Sequence, residues 1–230
     1  MRAVEGEGLV VLPGAVDPHV HMELLTVSGK ISSDDFDSGS CAALFGGVTA
    51  LGDFAYPEKG ERLVHALQAR REAARARCRT DFFLHVAVSE NPADLEAQME
   101  ECVAEGARSF KVHMNDPFVG RDLLDRLCRF CAERHCILMV HAEDGPAIAR
   151  AQARLVAEGK TALACYPGSR PPECEARAID TVMSCAARHR PAVYIVHLSS
   201  AAGLEAVRRH REAGRRIYAE TCPQYLFLTE

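Results

Sequence analysis

Short, strand-like apolar runs alternate with longer helix-like stretches along the whole chain. The runs are "GAVDPHVH" (14–21), "VTALGDF" (48–54), "FFLHVAV" (82–88), "ARSFKVH" (107–113), "CILMVH" (136–141), "AVYIVHL" (192–198) and "RIYAETC" (216–222). They predict seven strands, and a regular β/α alternation of this kind predicts a parallel sheet with crossover helices. Both a doubly wound open sheet and a (β/α)8 barrel are built this way. The placement of histidines at the ends of several runs favours the barrel, where reactive residues come from the carboxyl ends of different strands.

Punctuation between the runs supports the helices. Asn91 is placed as an N-cap with Pro92 at the first helical position, and Gly106 follows the last turn of "PADLEAQMEECVAEGA". Gly46 and Gly47 end the helix before the second strand, and Gly214 ends the one before the seventh. "YPGSRPPE" (166–173) is the longest irregular stretch and reads as a surface loop. No linker or composition break divides the chain, so residues 1–230 are expected to form one domain.

Composition narrows the function classes. The 230 residues are 48% hydrophobic and 26% charged, with a net charge of −5 and no basic block, which argues against nucleic acid as a partner. No apolar run approaches the roughly 18 residues of a membrane span, and no signal-peptide pattern opens the chain. The cytoplasm is the expected compartment, without membrane association. Ten cysteines are scattered through helix-like and strand-like segments and are expected to be free thiols. Cys128 and Cys131 have a CxxC spacing, with Cys136 after them; helix core is preferred over a metal site, because zinc needs four placed ligands.

The candidate chemistry lies at the run ends. His19 and His21 alternate on one face of the first predicted strand, where two imidazoles either chelate one ion or are ordinary polar strand-end residues. Pro13-Gly14 supplies a turn into the strand, and Asp17 an acceptor able to orient an imidazole. His141 and His197 close the fifth and sixth runs; each alone is as readily a rim histidine, but four histidines at three strand ends suit a transition-metal site with open positions. Lys111 lies inside the fourth run. It either snorkels to the strand end or is a buried amine with a lowered pKa, able to react with carbon dioxide and give an anionic carbamate ligand. Ser199 and Ser200 follow a histidine but lack a GxSxG elbow, which argues against an acyl-enzyme.

The motifs "PGAVDPHVHME", "DDFDSGSCAALFGGVT", "SFKVHM", "VHAEDG", "VHLSS" and "AETCPQYLFL", in this order, resemble the dihydropyrimidinase and hydantoinase branch of the cyclic amidohydrolases. The resemblance runs from about Leu12 to the end of the chain and implies a metal-dependent (β/α)8 barrel. It implies that His19 and His21 hold one metal, that carboxylated Lys111 bridges two, and that His141 and His197 hold the second. The ions implied are zinc, with manganese, cobalt or nickel also suited to such ligands. The implied reaction is ring opening of a small cyclic amide, a 5,6-dihydropyrimidine or a hydantoin, to the N-carbamoyl amino acid, in homo-oligomers that are usually tetramers.

The chain departs from the pattern in two places. Where the family carries a substrate-contacting tyrosine after the lysine, this chain reads "KVHMND", with Asp116 at that position and His113 in place of an aromatic residue. Family members also continue through an eighth strand with a metal-binding aspartate and a small β-sandwich. An incomplete barrel of about seven β/α units, with impaired turnover, is therefore expected. An allantoinase or dihydroorotase is the neighbouring enzyme reading, and a non-catalytic dihydropyrimidinase-related scaffold is the reading from another class.

Overall fold

The computed structural model describes residues 6–26, 29–117 and 119–228; the ends of the expected 1–230 domain lie outside the described residues. Seven strands are present among them: β1 Ala15–Asp17, β2 Val48–Ala55, β3 Asp81–Ala87, β4 Ser109–His113, β5 Ile137–His141, β6 Ala192–Ile195 and β7 Ile217–Ala219. Seven α-helices alternate with them: α1 Phe36–Phe45, α2 Leu63–Arg77, α3 Leu95–Ala104, α4 Arg121–Glu133, α5 Gly145–Ala157, α6 Pro172–His189 and α7 Ala201–Glu212. The strand order is β1-β2-β3-β4-β5-β6-β7. A doubly wound sheet reverses its order at a switch point; this sheet does not, so its order is that of a barrel.

The chain divides into two compact units. The first comprises Met1–Phe54 and Arg70–Leu84, the second Ala55–Ala69 and His85–Glu230. In the first unit β1 and β2 pair in parallel. Met22, Phe36, Leu51 and Ala74 form the buried cluster, with Val20, Ala43 and Phe82 packed against it. α1 begins with a reciprocal capping box: Ser38 N–H donates to Asp35 Oδ1 at 2.7 Å, and Asp35 N–H donates to Ser38 Oγ at 3.1 Å. Gly46 caps its end and Gly47 follows at φ +83°, a left-handed turn that glycine adopts without a Cβ penalty.

In the second unit β4 pairs with β5 residue for residue, from Ser109 with Ile137 to His113 with His141, and β5 with β6 from Ile137 with Ala192. α4 turns Leu123, Leu124, Leu127, Cys128 and Cys131 inward at helical spacing. The CxxC pair is therefore helix core, and burial pushes the Cys128 thiol up to about 12. None of the ten cysteines is in a disulfide.

A strand forms in each of the seven expected runs, and three of the strands fall short of their runs by three residues or more. β1 stops at Asp17 because Pro18 has no N–H to donate, although Val20 N–H still reaches the Gly52 carbonyl at 2.8 Å. β6 stops at Ile195 and β7 at Ala219. The helix expected to start at Pro92 begins at Leu95. Asn91 does not cap it; its side-chain oxygen accepts from Arg126 Nη1, which also takes the Pro92 carbonyl at 3.1 Å. The stretch 166–173 contains a 3-10 turn, Pro167–Ser169, and the first two residues of α6. No helix among the described residues is long and apolar enough to cross a membrane.

Truncating Leu127, fully buried on α4, to alanine is expected to cost 2–5 kcal/mol of unfolding free energy, by lost burial and a residual cavity. Urea titration followed by circular dichroism checks it.

Candidate metal-binding residues

In the first unit His19 and His21 lie in the segment just past β1 rather than on the strand. Their Nε2 atoms face each other at 3.1 Å, and both rings pack on Phe54, with centroids 4.8 and 4.9 Å away. The segment is held from several sides. His19 N–H donates to Asp17 Oδ1 at 3.1 Å, which ties the backbone on the strand side of the pair. Ser32 Oγ donates to the His21 carbonyl at 3.1 Å, and Arg70 Nη2 donates to the Met22 carbonyl. Arg70 also pairs with Asp53 of β2 at 2.5 Å and stacks over Phe36 at 4.5 Å. Burial pushes the Asp53 carboxyl above its ordinary range, and the Arg70 guanidinium pulls it back. Gly52 allows close approach here: a Cβ would stand 2.6 Å from the Pro18 carbonyl oxygen.

In the second unit His141 ends β5, and His197 lies two residues beyond the end of β6. His141 Nδ1 and His197 Nε2 are 2.9 Å apart, with ring centroids at 4.7 Å. His197 has φ +39°, a left-handed conformation uncommon outside glycine and concentrated at functional sites. Both loops are closed by helix caps three residues on. Ala147 N–H donates to Asp144 at 3.0 Å, and Gly203 N–H donates to Ser200 at 2.9 Å. His113, opposite His141 in the β4–β5 register, stacks on it at 5.3 Å and lies 6.0 Å from Tyr56. Asp116 is half-buried; burial raises its carboxyl pKa while His141 acts to lower it.

Lys111 is buried in the middle of β4 with 1% of its surface exposed, which excludes the snorkelling alternative. Burial lowers its pKa to about 7, against the opposing pull of Glu220. Much of the amine is therefore uncharged at neutral pH, the form that reacts with carbon dioxide.

One residue escaped sequence reading. Glu143, two positions past His141, accepts from His141 Nε2 at 2.7 Å and from Arg170 Nη1 at 2.5 Å. Burial opposes its charge, but hydrogen bonds from His141 and Arg170 hold its carboxyl down to about 2. A carboxylate so close after a strand-end histidine was the available signal.

The structure thus gathers two facing imidazole pairs, one in each unit, and buries Lys111. Among the described residues no group of three or more His, Cys, Asp or Glu side chains is arranged around one metal position. The donor chemistry fits divalent ions all the same. The ring nitrogens of the two pairs lie 3.1 and 2.9 Å apart, and imidazole suits zinc and its neighbours.

A sheet in sequential parallel order, with its histidines at or just past the strand ends, defines a domain of the β/α-barrel class. The chain belongs to the amidohydrolase family, whose profile matches residues 10–214 and so spans both units. It is 33% identical to a D-hydantoinase of Geobacillus stearothermophilus, over 100% of this chain and 49% of the relative. It is likewise 33% identical to a dihydropyrimidinase of Dictyostelium discoideum, over 96% of this chain and 44% of the relative. Among solved structures it resembles the dihydropyrimidinase from Brevibacillus agri, with a TM-score of 0.89 and 34% identity over 94% of this chain and 48% of that one. The chain spans about half the length of the curated relatives it matches. The expected barrel fold is borne out for the seven strands present.

The lowered Lys111 pKa carries a definite sign. Between about pH 7 and the ordinary lysine value of 10.5 the unfolded chain binds the proton and the folded chain does not, so stability rises with pH there, by at most about 1.4 kcal/mol per unit. Below about pH 7 both states are charged and the burial cost is paid in full. Lys111→Met is expected to flatten this rise, as measured by urea unfolding at pH 7 to 10 in carbon-dioxide-free buffer.

Proposed function

We propose that this chain carries metal ligands of a hydrolase that opens cyclic amides, with 5,6-dihydropyrimidines or hydantoins as substrates and N-carbamoyl amino acids as products. The observation that carries the reading is the two facing imidazole pairs, found in the chain positions that the family resemblance gives to metal ligands. The names of the relatives, D-hydantoinase and dihydropyrimidinase, support the substrate class.

In this reading His19 and His21 hold one divalent ion, His141 and His197 hold a second, and Lys111 serves as a carboxylated ligand. The ions, zinc in the first instance, supply Lewis-acid activation of water and of the amide carbonyl. The protein residues then have separate tasks. Phe54 fixes the planes of the His19 and His21 rings. The burial of Lys111 keeps its amine available for carbamate formation. His113 and Asp116, where the family pattern has aromatic residues, border the His141 ring and adjust which ring substituents are accepted. In the reaction water adds to the amide carbon, the carbon–nitrogen bond breaks, and the departing nitrogen takes up a proton.

Elemental analysis of the chain purified without chelator is expected to find close to two divalent ions per chain, and intact mass a labile carbon dioxide adduct that Lys111→Ala removes. His21→Ala and His141→Ala are each expected to weaken metal binding by more than about 100-fold, beyond the effect of losing an outer hydrogen-bond partner. A chain that takes up no metal when supplied with zinc or manganese and bicarbonate would overturn the reading.

A further inference from the structure

The side chain of Glu143 is half-buried among donors. Its Oε2 accepts from Arg170 Nη1 at 2.5 Å, from Asn115 Nδ2 at 3.2 Å and from His141 Nε2 at 2.7 Å. Arg170 is itself anchored: its Nε donates to Tyr166 Oη at 2.8 Å, and its guanidinium lies 5.3 Å from the centre of the Tyr166 ring. The segment around Pro167–Ser169, read from sequence as a plain surface loop, therefore supplies one end of a chain of contacts running Tyr166, Arg170, Glu143, His141, His197.

We infer that Glu143, held by Arg170, is a positioning residue that fixes the tautomer of His141, keeping the proton on Nε2 and the Nδ1 lone pair turned toward His197. Arginine is a permanent donor with no acceptor site, so the oxygen it contacts is an acceptor. That oxygen has no proton to give to His141, and the imidazole must donate through Nε2. In the other tautomer a bare Nε2 would face a carboxylate oxygen at 2.7 Å, setting two acceptors against each other, while Nδ1–H would block the direction toward His197. Glu143 thus fixes which nitrogen of His141 is open to an ion, and Arg170 fixes Glu143. The consequence for metal affinity rests on the proposed function; the tautomer itself does not.

The test uses the full chain labelled with 15N-histidine and stripped of metal by chelator. Long-range 1H–15N correlation spectra are expected to show His141, assigned by its loss in His141→Gln, protonated at Nε2 with a bare Nδ1. Glu143→Leu is expected to release it into a mixture of tautomers and to weaken zinc binding by about 10- to 100-fold. Arg170→Met, which leaves the carboxylate in place, is expected to have a smaller effect in the same direction, and serves if Glu143→Leu does not fold. A proton found on Nδ1 in the unsubstituted chain, or an unchanged tautomer in folded Glu143→Leu, overturns the inference. A tautomer set as described in a chain that binds no zinc upholds it, and overturns the proposed function instead.

Discussion

The residue-for-residue pairing of β4 with β5 is the constraint on which the chemistry of the second unit depends. It places Lys111 beside Met139 and His113 beside His141. Since side chains two apart on a strand share a face, one register decides both which amine is buried and which imidazole is stacked. A slip of one residue would turn Lys111 out of the interior and His113 away from His141. Several neighbours hold it: Phe110, Val112, Leu138 and Val140 alternate with these positions and are fully buried. The apolar side of the two strands thus secures the polar side.

The first unit solves the same problem without a strand. β1 ends before His19, and the backbone carrying the histidine pair is tied instead by Asp17, Ser32 and Arg70. Arg70 answers to Asp53 and Phe36 as well. An arginine suits this junction because its planar group can donate to a carbonyl, pair with a carboxylate and stack on a ring at once. Lysine could satisfy only part of that set.

Much of this was legible in the sequence, and the failures have physical causes. Apolar runs marked the seven strands, because a buried parallel strand must be apolar on both faces. Glycines after α1, α3 and α7 marked helix ends, since the left-handed turn there excludes most other residues. Asn91 misled because its side chain had a competing partner, Arg126, thirty-five positions away in the chain. Alternation alone puts His19 and His21 on a strand, since it says nothing of the donor that Pro18 lacks. Glu143 and Arg170 could not be paired from sequence at all: a charged residue in a turn looks alike whether it faces solvent or a half-buried imidazole.

The thiols of α4 have a use that follows from their placement. Cys128 and Cys131 are buried, and burial pushes both thiols well above the usual cysteine range, so the native chain holds almost no thiolate at these positions. An alkylating reagent can reach them only when the helix lifts from the sheet. Their rate of modification is then a clock for opening events, and comparing it with the half-exposed Cys41 and Cys222 would grade the local stability of the chain from its core to its margins.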